Sequence, residues 1–151
     1  MSDALRVLDR AGAERMCSII RKAGCRVVFT NGCFDLLHPG HILVLSRAAV
    51  LGDFLFVGLN SDSSVKRLKG DMRPRMPLEA RAAVLSSLRF VDFVVPFSED
   101  TPLELIRALR PHILVKGGDY RAEDVVGAGL VEKVVIVPTL AGHSTTALIS
   151  E

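Results

Sequence analysis

The chain has 151 residues, a net charge of +2, 49% apolar residues and 24% charged residues. This is the size and composition of one soluble globular domain, and it excludes a disordered or fibrous protein. A nucleic-acid-binding domain of this size is usually more basic, with its charge gathered on one face, so no nucleic-acid partner is expected. No apolar run approaches the roughly 20 residues that cross a bilayer, so no membrane partner is expected either.

The cysteines and the first residues bear on the cell compartment. The three cysteines form no CxxC pair, which is typical of reduced thiols in a cytosolic protein. Charged residues within the first ten positions are incompatible with the apolar region of a signal peptide. We therefore expect a cytoplasmic protein.

An N-terminal helical segment is expected over residues 1–25. Apolar side chains at helical spacing predict an amphipathic helix over residues 4–23, which Gly24 ends. The remaining residues, 26–151, carry the candidate catalytic groups, and the two parts together are expected to form one compact domain.

Strands alternate with helices along the rest of the chain. The predicted strands are short and continuously apolar, and they span residues 26–30, 54–59, 93–95, 113–115 and 134–137. The predicted helices span residues 40–51, 61–68, 78–88, 102–109 and 144–149, with Ser61 and Thr101 as expected N-caps. This pattern predicts an α/β, Rossmann-like single domain with a mainly parallel five-stranded sheet and helices on both faces. Because such sheets bind ligands at the carboxyl ends of their strands, loops 30–41, 60–77 and 115–121 should share one rim.

The first of these loops contains the sequence His38-Pro39-Gly40-His41. It leaves a strand and begins a helix, so backbone N–H groups at the helix start point toward any ligand above it. The two histidines are three residues apart, and both imidazoles can therefore reach one phosphate. Phosphoryl and nucleotidyl transfers require stabilisation of negative charge, which paired imidazole donors supply.

Two other interpretations of this loop stay open at this point. A zinc site would need a third ligand, and the nearest candidates are Cys33 and Asp35, which do not stand at ligand spacing. A purely structural turn is the second alternative.

The loop over residues 60–77 contains the densest cationic stretch in the chain, residues 66–75. By itself such a run is often a solvated face, but on the rim that carries the histidines it favours contact with phosphates. Lys66 is the residue that we expect to make a direct contact.

Two further segments carry binding candidates. Lys116, Gly118 and Asp119 follow a strand end, where glycine permits close approach of a ligand and Asp119 can bond a ribose or base edge, although a plain tight turn is the alternative. Residues 142–146 (GHSTT) begin the last predicted helix, where hydroxyl and N–H groups can hold phosphates or simply cap the helix.

Several of these segments resemble one superfamily from about residue 26 to the end of the chain. The segment GCFDLLHPGH over residues 32–41 resembles the signature of the cytidylyltransferase-like nucleotidyltransferases. One branch of that family, the D-glycero-β-D-manno-heptose 1-phosphate adenylyltransferases, makes ADP-heptose for bacterial lipopolysaccharide. The segments that resemble this branch are residues 60–70, Arg73-Pro74, Arg81, residues 114–120 and residues 142–146. The chain departs from the pattern between Asp124 and Val134, where it is several residues shorter.

The resemblance implies that residues 26–151 form a nucleotidyltransferase domain that transfers AMP from ATP to a sugar 1-phosphate. The implied catalytic residues are His38, His41 and Lys66. The implied nucleotide-binding residues are Thr30, Asn31, Gly32, Cys33, Phe34, Gly40, Lys116, Gly118, Asp119, Gly142, Ser144, Thr145 and Thr146. The implied acceptor-binding residues are Asp35, Asn60, Arg67, Arg73 and Arg81, with a local Asx turn as the alternative for Asp35.

The same resemblance implies Mg²⁺ held mainly through the substrate phosphates, with no metal ligand from the protein, and a homodimer. Two other functions remain open. A cytidylyltransferase acting on glycerol 3-phosphate would share the mechanism and differ in base and acceptor. A nucleotide-binding regulatory module would lack catalysis, and its mark would be loss of a histidine or of the cationic loop, both of which are present here.

Overall fold

A computed structural model describes residues 6–140, in which five parallel strands form one sheet. The strands are β1 (Val27–Gly32), β2 (Phe54–Asn60), β3 (Phe93–Phe97), β4 (Ile113–Gly117) and β5 (Lys133–Val137). Their order is β3-β2-β1-β4-β5, so the chain starts at the centre, builds toward one edge and then returns to build toward the other. The predicted fold class is confirmed, and each predicted strand is present with one or both ends shifted by one or two residues.

The helices in the described residues cover both faces of this sheet. They are α1 (Arg10–Lys22), α2 (Pro39–Ala49), α3 (Asp62–Lys69), α4 (Leu78–Ser87) and α5 (Leu103–Leu109). Two 3-10 turns, Ala122–Asp124 and Ala128–Leu130, precede β5. The helix predicted over 144–149 lies outside the described residues. No helix within residues 6–140 is long and apolar enough to cross a membrane.

Alternate residues of the central strand supply the two halves of the core. Val28 packs in a cluster with Leu45 of α2 and Leu85 of α4. Its neighbour Val27 packs in the opposite cluster, with α1 and α5. Because successive strand side chains point to opposite faces, a continuously apolar strand requires helices on both sides. Each fully buried aliphatic side chain of this kind contributes about 1.5–3 kcal/mol.

The first helix is shorter at its N-terminal end than the sequence predicts. The carboxylate of Asp9 accepts a hydrogen bond from Gly12 N at 2.7 Å and caps the helix, which therefore begins at Arg10. Before it, the chain is extended beside β3, where Leu8 N donates to the carbonyl of Val94 at 2.9 Å. The helix ends as predicted, since Gly24 adopts φ +79° directly after it.

The two expected N-caps have different outcomes. Ser61 Oγ accepts from Ser64 N at 3.3 Å, which confirms the cap of α3. The cap predicted for α5 is wrong, because Pro102 occupies the N-cap position and no side chain caps that helix. The hydroxyl of Thr101 therefore does not cap α5.

Candidate active site

The strand order reverses between β1 and β4, and the loops that follow these two strands separate there. In an open parallel sheet this is the place where a crevice forms and ligands bind. Two adjoining cavities of about 280 Å³ and 480 Å³ lie at this point. Loops 30–41, 60–77 and 115–121 all contribute to them, as the sequence predicts.

We name the smaller cavity the histidine cavity. It is lined by Thr30, Asn31, Gly32, Cys33, Phe34, Asp35, His41, Val44, Lys69, Lys116, Gly117 and Tyr120. We name the larger one the distal cavity. It shares Asn31, Gly32, Cys33, Lys69, Lys116 and Tyr120 with the first and adds Asn60, Leu68, Asp100, Thr101, Pro102, Asp124, Val125 and Val126.

The start of α2 fixes the two histidines. His38 is the N-cap, and its Nδ1 accepts from Gly40 N at 3.1 Å, while His41 Nδ1 accepts from His38 N at 3.1 Å. The two rings stack, with centroids 3.8 Å apart. Because both Nδ1 atoms accept hydrogen bonds, each neutral ring carries its proton on Nε2. Of the two, His41 lines the histidine cavity, so its Nε2–H is the donor available to a ligand there.

His41 is a neutral donor at physiological pH. Burial lowers the pKa of His41 to about 4, and the neighbouring His38 and Lys69 add to this effect. The pKa lies well below 7, so the ring offers a hydrogen bond without a full positive charge.

Two lysines bring positive charge to both cavities. Lys69 ends α3 and Lys116 lies near the end of β4, so they reach the crevice from opposite sides of β1. Burial lowers the pKa of Lys116, with Cys33 opposing this effect and Lys69 adding to it. Its Nζ lies 5.2 Å from the ring centroid of Tyr120, within cation–π range. An anionic ligand between the two lysines would relieve their mutual repulsion.

Lys66, expected to contact phosphate, is not brought to the crevice. It lies exposed on α3 and lines neither cavity, whereas Lys69 lines both. The catalytic role expected of Lys66 stays a prediction, and Lys69 is the lysine of α3 that lines the cavities.

Asp35 is a buried carboxylate whose oxygens hold the loop before α4. Oδ2 accepts from Arg73 Nε and from Arg75 N, each at 2.7 Å, and Oδ1 accepts from Met76 N at 3.0 Å. Burial by itself would raise the pKa of Asp35, but these hydrogen bonds outweigh it and hold that pKa below its usual value. These bonds anchor the loop before α4, and the contact with an acceptor hydroxyl that is expected of Asp35, which lines the histidine cavity, stays a prediction.

Arg81 is likewise committed to the protein. It is 1% exposed, and its Nε donates to the carbonyl of Met76 at 3.0 Å. Nη1 donates to the carbonyls of Cys33 and Asn60 at 2.8 Å each, and Nη2 to the carboxylate of Asp62 at 2.7 Å. Arg81 therefore joins loop 30–41 to loop 60–77 from beneath, and the acceptor contact expected of it stays a prediction.

The three other residues expected to bind the acceptor differ in burial and in distance from the cavities. Arg67 is exposed and bonds the carboxylate of Asp100 at 2.8 Å and the carbonyl of Ser98. Arg73 is nearly buried and lines neither cavity, and within residues 6–140 no group accepts from its buried Nη2. Asn60 lines the distal cavity.

Gly117, the last residue of β4, lets the chain pass close to α2. A Cβ at Gly117 would lie 2.6 Å from Val44 Cγ2, and Gly118 has φ +115°, a conformation that favours glycine. Asp119 is exposed and lines neither cavity, so the predicted contact with a ribose or base edge stays a prediction. The predicted residues Gly142, Ser144, Thr145 and Thr146 lie outside the described residues.

The geometry agrees with what comparison with known proteins finds. A sequence profile described as cytidylyltransferase-like matches residues 29–146. The chain belongs to the cytidylyltransferase-like family. The nucleotidyltransferase class predicted from the motifs is thereby confirmed at the level of the family.

Curated relatives of this cytidylyltransferase-like chain are longer proteins. The bifunctional protein HldE of Hyphomonas neptunium is 59% identical over an alignment of 153 positions, which covers 95% of this chain and 32% of that protein. The protein of the same name from Wolinella succinogenes is 51% identical over 146 residues, which cover 97% of this chain and 31% of that protein. The chain thus spans about a third of the length of these relatives.

Solved structures share its fold. The lipopolysaccharide core biosynthesis protein of Thermoplasma volcanium superimposes with a TM-score of 0.66 and 28% identity, covering 78% of this chain and 99% of that one. The pantoate-β-alanine ligase of Francisella tularensis also gives a TM-score of 0.66, at 18% identity, covering 94% of this chain and 69% of that one. At that identity the second likeness concerns the fold alone.

Sequence reasoning missed several residues of this cytidylyltransferase-like site. Lys69 stands in the cationic stretch, but the stretch alone does not say which lysine lines the cavities. Tyr120 ends the 116–120 segment and lines both cavities, and Thr101, expected as a cap, lines the distal one. Asp124 also lines the distal cavity, within the segment that is shorter than the family pattern.

Proposed function

We propose that the chain transfers AMP from ATP to D-glycero-β-D-manno-heptose 1-phosphate, with release of pyrophosphate. The observation that carries the reaction type is the histidine cavity, where the neutral donor His41 faces Lys69 and Lys116 at the switch point of the sheet. The heptose branch is supported by the resemblance of residues 60–70 and 114–120 and by relatives of 51–59% identity named bifunctional protein HldE.

In this reaction a phosphate oxygen of the acceptor forms a bond to the α-phosphorus of ATP. The bond from the α-phosphorus to the oxygen that bridges to the β-phosphate breaks, and pyrophosphate leaves with that electron pair. His41 Nε2–H donates to an α-phosphate oxygen as negative charge grows there, and the ring of His38 is stacked behind it. Lys69 and Lys116 neutralise the phosphates from either side.

No protein group is required to remove a proton, because a phosphate nucleophile is already ionised at neutral pH. His41 fits this requirement, because with a pKa of about 4 it is neutral at pH 7. It can donate a hydrogen bond but has no extra proton to release. Positioning of the two substrates then supplies much of the acceleration. Lys66 and residues 144–146 remain proposals for contact with the leaving phosphates.

Mg²⁺ is proposed as the counter-ion of the triphosphate. Within residues 6–140 no group of three His, Cys, Asp or Glu side chains is placed to hold a metal ion, and the wall of the histidine cavity carries cations. This donor set fits an ion that is held by substrate phosphates and lowers their charge when bound. A homodimer is proposed from the resemblance, and sedimentation equilibrium tests it. A cytoplasmic location is proposed from the cysteines, which form no CxxC pair.

A grid of substrates tests the assignment. Pyrophosphate release is measured with Mg²⁺ while ATP, CTP and GTP are crossed against heptose 1-phosphate and glycerol 3-phosphate. Release with ATP and heptose 1-phosphate alone is the expected result. The family description keeps a second candidate, a cytidylyltransferase, and release with CTP and glycerol 3-phosphate would establish that one instead. No release from folded protein in any combination would contradict both and favour a binding module.

A further inference from the structure

The turn over residues 34–36, which follows β1, has a strained backbone at two positions. Phe34 has φ +46° and Leu36 has φ +60°, values in the left-handed region that bulky side chains rarely adopt. Such a conformation persists only where the surrounding structure enforces it, and it is most common at functional sites. The turn leads directly into the segment that carries His38 and His41, so its shape bears on the position of their rings.

Asp35, between the two strained residues, holds the turn in this shape. Its carboxylate accepts from Arg73 Nε, Arg75 N and Met76 N at 2.7, 2.7 and 3.0 Å. All three donors belong to the loop before α4, so the turn can relax only by breaking a buried ion pair and two backbone hydrogen bonds. These bonds offset the cost of the strain and keep the turn in one conformation.

The turn places the ring of Phe34 against His41. The two ring centroids lie 5.2 Å apart, with an interplanar angle of 53°. His41 also stacks on His38 at 3.8 Å, so two rings pack against it. A Cβ at Gly32 would lie 3.0 Å from Phe34 Cε2, so the absence of a side chain at the end of β1 leaves room for the Phe34 ring. Phe34 is 8% exposed and lines the histidine cavity together with His41.

These contacts restrict the ring of His41 to one orientation. The hydrogen bond from His38 N fixes Nδ1, and the two neighbouring rings oppose rotation about it. A donor to a developing charge requires a fixed direction, since misplacement by about 1 Å can cost about 10²-fold in rate. The Phe34 ring also contributes to the burial of His41, and burial is the main cause of the lowered pKa of His41, to which His38 and Lys69 add.

From this geometry we propose that Phe34 is a positioning residue, which the strained turn presses against His41 so that the His41 ring keeps one orientation in the histidine cavity. Phe34 acts through His41, and this role of its side chain is additional to the nucleotide contact that the resemblance implies. The kinetic consequence rests on the proposed function, whereas the contact between the two rings does not depend on it.

Two substitutions in the full chain separate the ring contact from the strain. Phe34→Ala and Phe34→Gly both remove the ring, but only glycine adopts φ +46° without strain. Phe93→Leu is the matched control, because the Phe93 ring pairs with that of Phe56 at 4.9 Å in the opposite half of the core.

Three properties of each variant are measured. Proton NMR gives the pKa of His41, and His41→Asn identifies its resonance among those of the four histidines of the chain. Urea unfolding gives the midpoint of each variant. Steady-state kinetics with ATP and heptose 1-phosphate separates kcat from the KM of ATP.

Both Phe34 variants should raise the pKa of His41 from about 4 to about 5 or higher, because water then reaches the ring. They should lower kcat about 10–100-fold and change the KM of ATP by less than about threefold. Phe34→Gly should have the higher urea midpoint of the two. Phe93→Leu should match the parent in the pKa of His41 and in kcat.

An unchanged pKa of His41 in the folded Phe34 variants, or an equal shift in Phe93→Leu, would overturn the inference. Equal urea midpoints for Phe34→Ala and Phe34→Gly would overturn the part assigned to the strained turn. A parent that releases no pyrophosphate from any substrate pair would contradict the proposed function, and a raised pKa of His41 in the Phe34 variants alone would still support the contact.

Discussion

Asp35 Oδ2 lies 2.7 Å from Arg73 Nε, and this buried ion pair joins the loop after β1 to the loop before α4. The side chain of Asp35 is fully buried and that of Arg73 is 12% exposed. The pair therefore holds the cationic loop against the loop that carries His38 and His41. Two segments about 40 residues apart in sequence become one wall of the histidine cavity through it.

Asp35→Asn should destabilise the protein by about 3 kcal/mol, because it leaves the charge of Arg73 nearly buried without its partner. The free energy of unfolding in urea measures this. Glu104→Gln is a suitable control, since it breaks an exposed pair with Arg107 and should cost less than about 1 kcal/mol. Equal losses for the two variants would show that the Asp35 pair does not anchor the loop.

The pH dependence of stability should report the burial of His41. Its folded pKa of about 4 lies below the usual value of 6.5, so between these values the unfolded chain binds a proton that the folded chain does not. The associated stability is fully present above pH 6.5 and is lost as the pH falls toward 4. Urea midpoints at pH 7 and pH 5 should therefore differ more for the parent than for His41→Asn, which does not titrate. Parallel losses in both proteins would show that His41 ionises normally.

Much of the fold and the position of the site follow from the sequence. The continuously apolar strands, such as Val27 to Phe29, can be buried only by helices on both faces, and this property is local to each strand. The segment from His38 to His41 is equally local, since a strand, a Pro-Gly turn and a helix fix its geometry. These features are predictable because neighbouring residues determine them.

The partner that each charged side chain contacts depends on distant parts of the chain, so the sequence is less informative about these contacts. Arg81 and Asp35 look like ligand contacts because they are charged and near the rim. Their partners include backbone groups of Met76, Cys33 and Asn60, which only the assembled loops bring within reach. Thr101 likewise suits an N-cap by type, and only the path of the chain into α5 takes it away from that position.

The choice between two lysines of α3 gives a direct comparison. Lys69→Ala should lower kcat/KM about 10–100-fold, because Lys69 lines both cavities and supplies a charge-assisted contact to phosphate. Lys66→Ala, three residues earlier on the same helix, should lower it by no more than about threefold, as expected for an exposed lysine that contacts no ligand. Steady-state kinetics with ATP and heptose 1-phosphate measures both. A larger fall in kcat/KM for Lys66→Ala than for Lys69→Ala would support the phosphate contact that the sequence predicts for Lys66.

The central claim is that a neutral His41 donates to the phosphate on which charge develops. His41→Asn tests it most directly, because the amide oxygen of asparagine can still accept from His38 N while the Nε2–H is lost. The measurement is kcat for pyrophosphate release with ATP, heptose 1-phosphate and Mg²⁺, for the parent and the variant. Urea midpoints at pH 7 check that the two proteins are equally stable. We predict a fall in kcat of about 10²–10³-fold. A kcat within a few-fold of the parent would contradict the mechanism.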